Sequence, residues 1–320
     1  MPSVVVDVIG ESDIGLVRER NEDVFLVADL ARRAPEEGAG GVRARDVGER
    51  GLLMMVCDGM GGAAAGDRAS HLASETFLGR LGQVAPRSRE ELAHTMGEAI
   101  LLANDRIRRA GEEDRSLQGM GTTLTAAIVL DGVLVVAHVG DSRAYLMRDG
   151  QLVQLTEDQS LVQELVASGK IRREEAATYE HSNVILQALG VTEDLIPFAA
   201  EVPLRAGDLL LLCTDGLTTM VPQDEMLEVL ASKGQDLAAA ATALTAQARV
   251  HGGHDNITLV LARFRGDGLD AAGRAIEVRP VALGLRARRR SMGLSPLSLV
   301  VIAVLLMLAV AGVIILLGMD

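Results

Sequence analysis

The sequence predicts an α+β fold, with mainly antiparallel sheets covered by helices. Three observations carry this. Short apolar runs of strand length recur through the first 265 residues. The dipeptides Asp131-Gly132 and Asp149-Gly150 separate such runs with the signature of tight hairpin turns. Helical patterning comes in blocks, not as single helices alternating with strands, so parallel crossover units are not indicated.

Taken in order, strands are expected at Val4–Ile9, Val24–Ala28, Leu52–Cys57, Thr122–Leu130, Val133–Val139, Ser142–Met147, Asp208–Cys213 and Ile257–Phe264. The first two are joined by ESDIGLVRERNED, and the central three by tight turns. Helices are expected at Ala63–Leu81, Arg89–Ala110, Gln159–Ala167 and Asp236–Val250. Ala34–Arg50, rich in Gly, Glu and Arg, reads as a surface loop, and residues 266–296 read as an Arg-rich juxtamembrane linker. No repeat of solenoid period is present.

Composition narrows the function. At 320 residues there is length for a sizeable core. Aromatic residues make up 2% and Trp is absent, so a surface that stacks on nucleic-acid bases is not expected. Six arginines face two acids after residue 273; that balance of +4 within a total of −13 leaves −17 on residues 1–273. Such a domain repels a phosphate backbone unless bound cations offset its carboxylates. Cys57 and Cys213 lie inside apolar runs and read as reduced, buried thiols, and two cysteines cannot form a zinc-type cluster.

The N-terminal MPSVVVDVIGESD has no basic region or long apolar stretch, so no secretory signal is expected there. Residues 297–317, LSLVVIAVLLMLAVAGVIILL, form an uncharged run of bilayer-spanning length. RARRR at 286–290 stands just before it, and only residues 318–320 follow. The basic flank predicts a single-pass tail anchor in the cell membrane, with the bulk of the chain cytoplasmic and a short extracytoplasmic tail.

Residues 52–62, LLMMVCDGMGG, end an apolar run in an acid and three glycines. The loose GxGxxA pattern lacks the second strand with its acidic end that a dinucleotide site needs, and no Gly-Lys-Ser/Thr is present for a P-loop. A strand-to-helix turn explains the glycines but not Asp58. Asp141 and Asp215 also follow apolar runs, and Asp255 precedes one. Four acids delivered to one place would raise one another's pKa values unless divalent cations removed the repulsion. With no Cys or His cluster beside them, an all-oxygen site favours Mg²⁺ or Mn²⁺.

Six ordered motifs then give a specific resemblance. They are SDIGLVRERNED (12–23), VCDGMGG (56–62), GTT (121–123), VGDSR (139–143), CTDG (213–216) and DNIT (255–258). Together they resemble bacterial metal-dependent protein Ser/Thr phosphatases of the 2C type. The likeness runs from about residue 5 to 265, which predicts a catalytic domain over 1–265. The resemblance implies a four-layer α-β-β-α sandwich, two core cations and a possible third. Asp58 would bridge two metals, with the Gly59 carbonyl on the second and Asp215 and Asp255 on the opposite side. Glu22 and Asp23 would contact metal-bound waters, and Asp141 with Asp215 would hold the third ion. Arg18 would grip the substrate phosphate through its planar fork, and residues 155–179 would form a variable flap.

The implied reaction is hydrolysis of phosphoserine and phosphothreonine in proteins, by a metal-bridged hydroxide attacking phosphorus in line. Phosphorylated proteins and a Ser/Thr kinase are the implied partners. One departure stands out: many eukaryotic relatives carry a His where this chain has Met60. His138 and His254 lie near the motifs but read as structural. A catalytically silent phosphoprotein-binding module is the competing reading, and the presence of all four strand-end aspartates weighs against it.

Overall fold

The computed structural model describes residues 3–32, 34–35, 41–62, 65–172, 175, 179, 184–269 and 275–285. Residues up to Leu285 form one compact unit. The strands are β1 (Val5–Asp13), β2 (Val24–Asp29), β3 (Ala34–Pro35), β4 (Arg43–Asp46), β5 (Leu52–Cys57), β6 (Gly59–Met60), β7 (Gly121–Thr122) and β8 (Leu124–Leu130). They continue as β9 (Val133–Val139), β10 (Arg143–Arg148), β11 (Gln151–Gln154), β12 (Phe198–Pro203), β13 (Leu209–Cys213), β14 (Ile257–Arg265) and β15 (Arg279–Pro280). The helices are α1 (Ala65–Gln83), α2 (Arg89–Glu113), α3 (Leu161–Ala167), α4 (Asp215–Thr218), α5 (Gln223–Lys233) and α6 (Leu237–Val250).

Two antiparallel sheets carry the fold. One has the order β11-β10-β13-β14-β1-β4 and the other β15-β12-β9-β8-β5-β2-β3. Strand β5 shows why the run LLMMVC is apolar throughout. Successive side chains of a strand face opposite ways: Leu52, Met54 and Val56 enter the core between the sheets, while Leu53, Met55 and Cys57 enter the core under α1 and α2. In β13, Leu210 and Leu212 face the other sheet, whereas Leu209, Leu211 and Cys213 pack beneath α5 and α6. Three apolar layers therefore separate helices, sheet, sheet and helices. Both Asp-Gly hairpins adopt the left-handed pair of dihedrals, with φ of 49° and 70° at Asp131-Gly132 and 50° and 75° at Asp149-Gly150.

Several segments differ from expectation. The surface loop 34–50 contains β4, which pairs with β1 from Val5↔Asp46 to Val8↔Arg43 and carries its charges at the sheet edge. Strand β12 and helix α5 lie where no element is predicted. Residues 275–285, assigned by composition to a linker, pack along the domain: β15 pairs with β12, Val281 N–H donates to the Ala199 carbonyl at 2.9 Å, and Leu283 is buried against the α2 layer. Beneath them Arg148 and Asp208, 5% and 1% exposed, form a two-pronged ion pair at 2.8 and 2.6 Å. The same guanidinium donates to the carbonyls of Pro203 and Ala275, tying three segments together. Among the described residues no helix is long and apolar enough to cross a membrane; the predicted span 297–317 lies outside them.

Candidate metal centre

The four strand-end aspartates meet at one edge of the sandwich. Asp58 leaves β5, Asp141 follows β9, Asp215 opens α4 directly after β13, and Asp255 precedes β14. Hydroxyls and one amide hold their turns. Asp58 N–H donates to Thr123 Oγ1 at 2.9 Å and Thr123 N–H returns a bond to the Asp58 carbonyl at 2.9 Å. Thr123 Oγ1 also lies 2.7 Å from Ser142 Oγ, which links the Asp58 turn to the Asp141 turn. Thr214 Oγ1 donates to Asp23 Oδ2 at 2.8 Å and accepts from Thr258 N–H at 3.1 Å, so Asp23 is fixed beside the entry to Asp215.

Asn256 positions the loop that carries Arg18. Its amide donates to the carbonyls of Ile14 and Arg20 at 3.0 and 2.9 Å, and its Oδ1 accepts from Glu22 N–H at 2.9 Å. Gly15 permits this approach: it has φ +81°, and a Cβ there would sit 2.2 Å from the Asp255 carbonyl oxygen. Arg18 then reaches Asp255, with Nη2 2.7 Å from Oδ2. Thr123, Thr214 and Asn256 all lie within the sequence motifs, yet sequence reasoning gave them no role. Their one signal is a polar residue at the buried end of an apolar strand.

The electrostatics follow from burial. Desolvation, then the charges of Asp23, Asp215 and Asp141, hold the Asp58 carboxyl well above the ordinary carboxylate range. Burial pushes Asp23 up to about 8, opposed by hydrogen bonds from Thr258 and Thr214 and reinforced by Asp215 and Asp255. Burial and then Asp215 raise Asp141 to about 7. Asp215 is raised by burial and by Asp255, while a hydrogen bond from Asp58 works the other way. Glu22 is raised chiefly by burial, and Arg18 is raised by its bond to Asp255 and by the charges of Asp58 and Glu22. All seven predicted side chains therefore fall in one electrostatic neighbourhood.

A divalent cation fits this cluster. Asp141 Oδ1 and Asp215 Oδ1 are buried without a hydrogen-bond partner, which is costly unless another group satisfies them. At Gly59 a Cβ would meet the carbonyl oxygens of Gly66 at 2.3 Å and Glu22 at 2.5 Å, so only glycine leaves that oxygen-lined hollow open. The donor set is entirely oxygen, the choice of Mg²⁺ or Mn²⁺. Among the described residues no three acids close into a ready-made cage. One oxygen of Asp255 is already occupied by Arg18.

Met60 pairs with Gly121 across the β6–β7 ribbon and has no proton to give a leaving group. His138 is fully buried with Nδ1 2.8 Å from Thr125 Oγ1, and burial lowers it to about 4, so it is a neutral core residue at physiological pH. His254 is exposed.

Comparison with known proteins agrees with this arrangement. The protein phosphatase 2C family profile matches residues 41–251. The serine/threonine phosphatase stp of Listeria monocytogenes is 42% identical over 251 residues, covering 78% of this chain and 92% of that protein. The crystal structure of the Mycobacterium tuberculosis serine/threonine phosphatase PstP/Ppp superposes with a TM-score of 0.68 at 37% identity, over 81% of this chain and 98% of that one. A structure of the PstP catalytic domain in complex with two manganese ions superposes with a TM-score of 0.66 at 35% identity, over 82% and 99%. Profile, sequence and fold agree: the chain belongs to the protein phosphatase 2C family.

Proposed function

We propose that this chain is a tail-anchored protein phosphatase that hydrolyses phosphoserine and phosphothreonine in cytoplasmic proteins and opposes a Ser/Thr kinase at the membrane. The observation that carries the reading is the convergence of Asp58, Asp141, Asp215 and Asp255, two of them with orphaned buried oxygens, beside the half-exposed guanidinium of Arg18. Asp58, the Gly59 carbonyl, Asp215 and Asp255 would hold two cations. Asp141 with Asp215 would hold a third, and Glu22 and Asp23 would accept from water around them. The activity depends on Mg²⁺ or Mn²⁺. When bound, such a pair supplies Lewis acidity that offsets phosphoryl charge and acidifies coordinated water.

The chain's own residues do the rest. With the Asp255 carboxylate engaged as a ligand, the fork of Arg18 would be free to take two phosphate oxygens and orient the ester for displacement. Asn256 and Gly15 fix the height of that guanidinium above the acids. Thr123 and Thr214 hold Asp58 and Asp23 so that little reorganisation is needed as charge develops. Residues 297–317, uncharged and preceded by RARRR, tether the domain and raise its local concentration near membrane-bound substrates.

The reading is tested by phosphate release from a phosphothreonine peptide with Mn²⁺, with EDTA, and with Asp58→Asn. Turnover that needs Mn²⁺ and is lost in the variant supports it; folded protein with no metal-dependent turnover overturns it. For the anchor, a chain ending before Ser291 is expected to leave the membrane fraction, and its retention there would refute the tether.

A further inference from the structure

Exposed apolar side chains are not scattered over this surface. Of the ten large hydrophobic residues that are exposed among the described residues, seven lie on two segments whose backbones are tied to the loops that carry the acids. Ile14, Leu16 and Val17 form one group. They share the loop of Arg18, and Leu16 N–H donates to the Gly253 carbonyl at 2.7 Å, two residues before Asp255. Val17, immediately before Arg18, is 61% exposed.

The second group, Val184, Leu186, Val191 and Ile196, stands on the Asp141 side. Gln159 ties it there. Gln159 N–H donates to the Gly140 carbonyl at 2.7 Å, and its side chain accepts from Gly140 N–H at 3.0 Å and donates to the Ile196 carbonyl at 3.0 Å. Leu186 N–H donates to the Gln159 carbonyl, and Leu161 N–H to that of Val184. Val191 lies over the β6–β7 ribbon, its Cγ2 2.7 Å from where a Cβ on Gly121 would stand and Met60 Cγ 3.4 Å from the same point. A single exposed Leu or Val needs no explanation, but apolar groups on both sides of one charged hollow mark a contact surface.

We infer that these two groups read the substrate: the site prefers phosphorylated segments that bind extended and carry apolar side chains two residues before and two residues after the phosphoresidue. The inference rests on the phosphatase reading and extends it to substrate class. In an extended chain, side chains at alternate positions share a face. With the phosphoresidue pointing down to Arg18, residues at −2 and +2 point down as well and residues at ±1 point away. The overall charge agrees, because the balance of −17 on residues 1–273 exceeds what two or three divalent cations offset and disfavours acidic flanks.

The test compares three phosphothreonine peptides with Leu, Ser or Glu at both −2 and +2, together with p-nitrophenyl phosphate, which has no flanks. The full chain is used in detergent micelles with Mn²⁺. The Leu peptide is expected to exceed the Ser peptide about tenfold in kcat/KM, or about 1.4 kcal/mol, mainly through KM, with the Glu peptide lowest. Val17→Ser and Ile196→Ser, both at exposed positions, are each expected to reduce the Leu-to-Ser ratio about threefold; Leu102→Ser on α2 leaves it unchanged. Equal kcat/KM for the three peptides, or a ratio retained in the Val17→Ser, Ile196→Ser double variant, overturns the inference while p-nitrophenyl phosphate turnover leaves the phosphatase reading standing. Absence of turnover on every substrate, p-nitrophenyl phosphate included, overturns both.

Discussion

The carboxylate cluster should make the cation-free fold less stable as pH rises through neutrality. Asp23 is held at about 8 and Asp141 at about 7, against an ordinary 3.8. In the fold these acids keep protons that the unfolded chain has lost, so stability is present below the folded values and disappears as pH passes through them. The buried His138, lowered to about 4 from 6.5, acts in the opposite sense, but its contribution is nearly complete by pH 7. Between pH 7 and 8 the acids therefore dominate. Ionising a group of pKa 8 across that interval costs about 1 kcal/mol and one of pKa 7 about 0.4 kcal/mol, together about 1.4 kcal/mol. That corresponds to a fall in Tm of roughly 3–6 °C for a domain of this size. Saturating Mn²⁺ should reverse the sign, since the ion binds the ionised form and at a hundredfold excess over its Kd adds about 2.7 kcal/mol. Thermal denaturation followed by circular dichroism at pH 7 and pH 8, in EDTA and in Mn²⁺, checks this. A Tm in EDTA that stays level or rises over the interval would refute the reasoning.

Other expectations follow from packing. Arg148→Ala strands Asp208 in the core with its charge unpaired, and should cost about 3–5 kcal/mol, read as a lower urea midpoint. Gln159→Ala removes side-chain bonds to Gly140 and Ile196; at about 1 kcal/mol each, limited proteolysis between residues 160 and 196 should accelerate about tenfold or more while the rest of the domain resists. Gly59→Ala drives a methyl group against the Gly66 and Glu22 carbonyls, so a loss of about 1–3 kcal/mol is expected. Isothermal titration should also show weaker Mn²⁺ binding in that variant.

Much of the scaffold was legible because it is buried on both faces. LLMMVC, VLVVAHV and LLLLC cannot be half-exposed strands, and Asp131-Gly132 admits little but a tight hairpin. Strand β12 was illegible for the complementary reason. Its FAAEVP has little β propensity, and it is a strand because β9 offers it six paired residues, Phe198↔His138 to Pro203↔Val133. Arg43–Asp46 is likewise made a strand by the edge of β1 rather than by its own side chains. Residues 275–285 look like a linker until Arg148 and the edge of β12 supply their partners. In the site, the acids could be read from strand ends because an isolated carboxylate after an apolar run is chemically conspicuous. The hydroxyls of Thr123 and Thr214 could not, because their work depends on neighbours 65 and 191 residues away in sequence. The Arg18–Asp255 contact, across 237 residues, is of the same kind.

The central claim is that Asp58, Asp215, Asp255 and Asp141 form a cation site whose buried oxygens are satisfied by divalent metal. Anomalous diffraction from crystals grown with Mn²⁺ tests it most directly. The account predicts manganese peaks within coordination distance of the Asp58 carboxylate and the Gly59 carbonyl, with Asp215 and Asp255 on the opposite side and Arg18 released from Asp255. Manganese absent from this cluster, with the Arg18–Asp255 pair intact at saturating Mn²⁺, would contradict it.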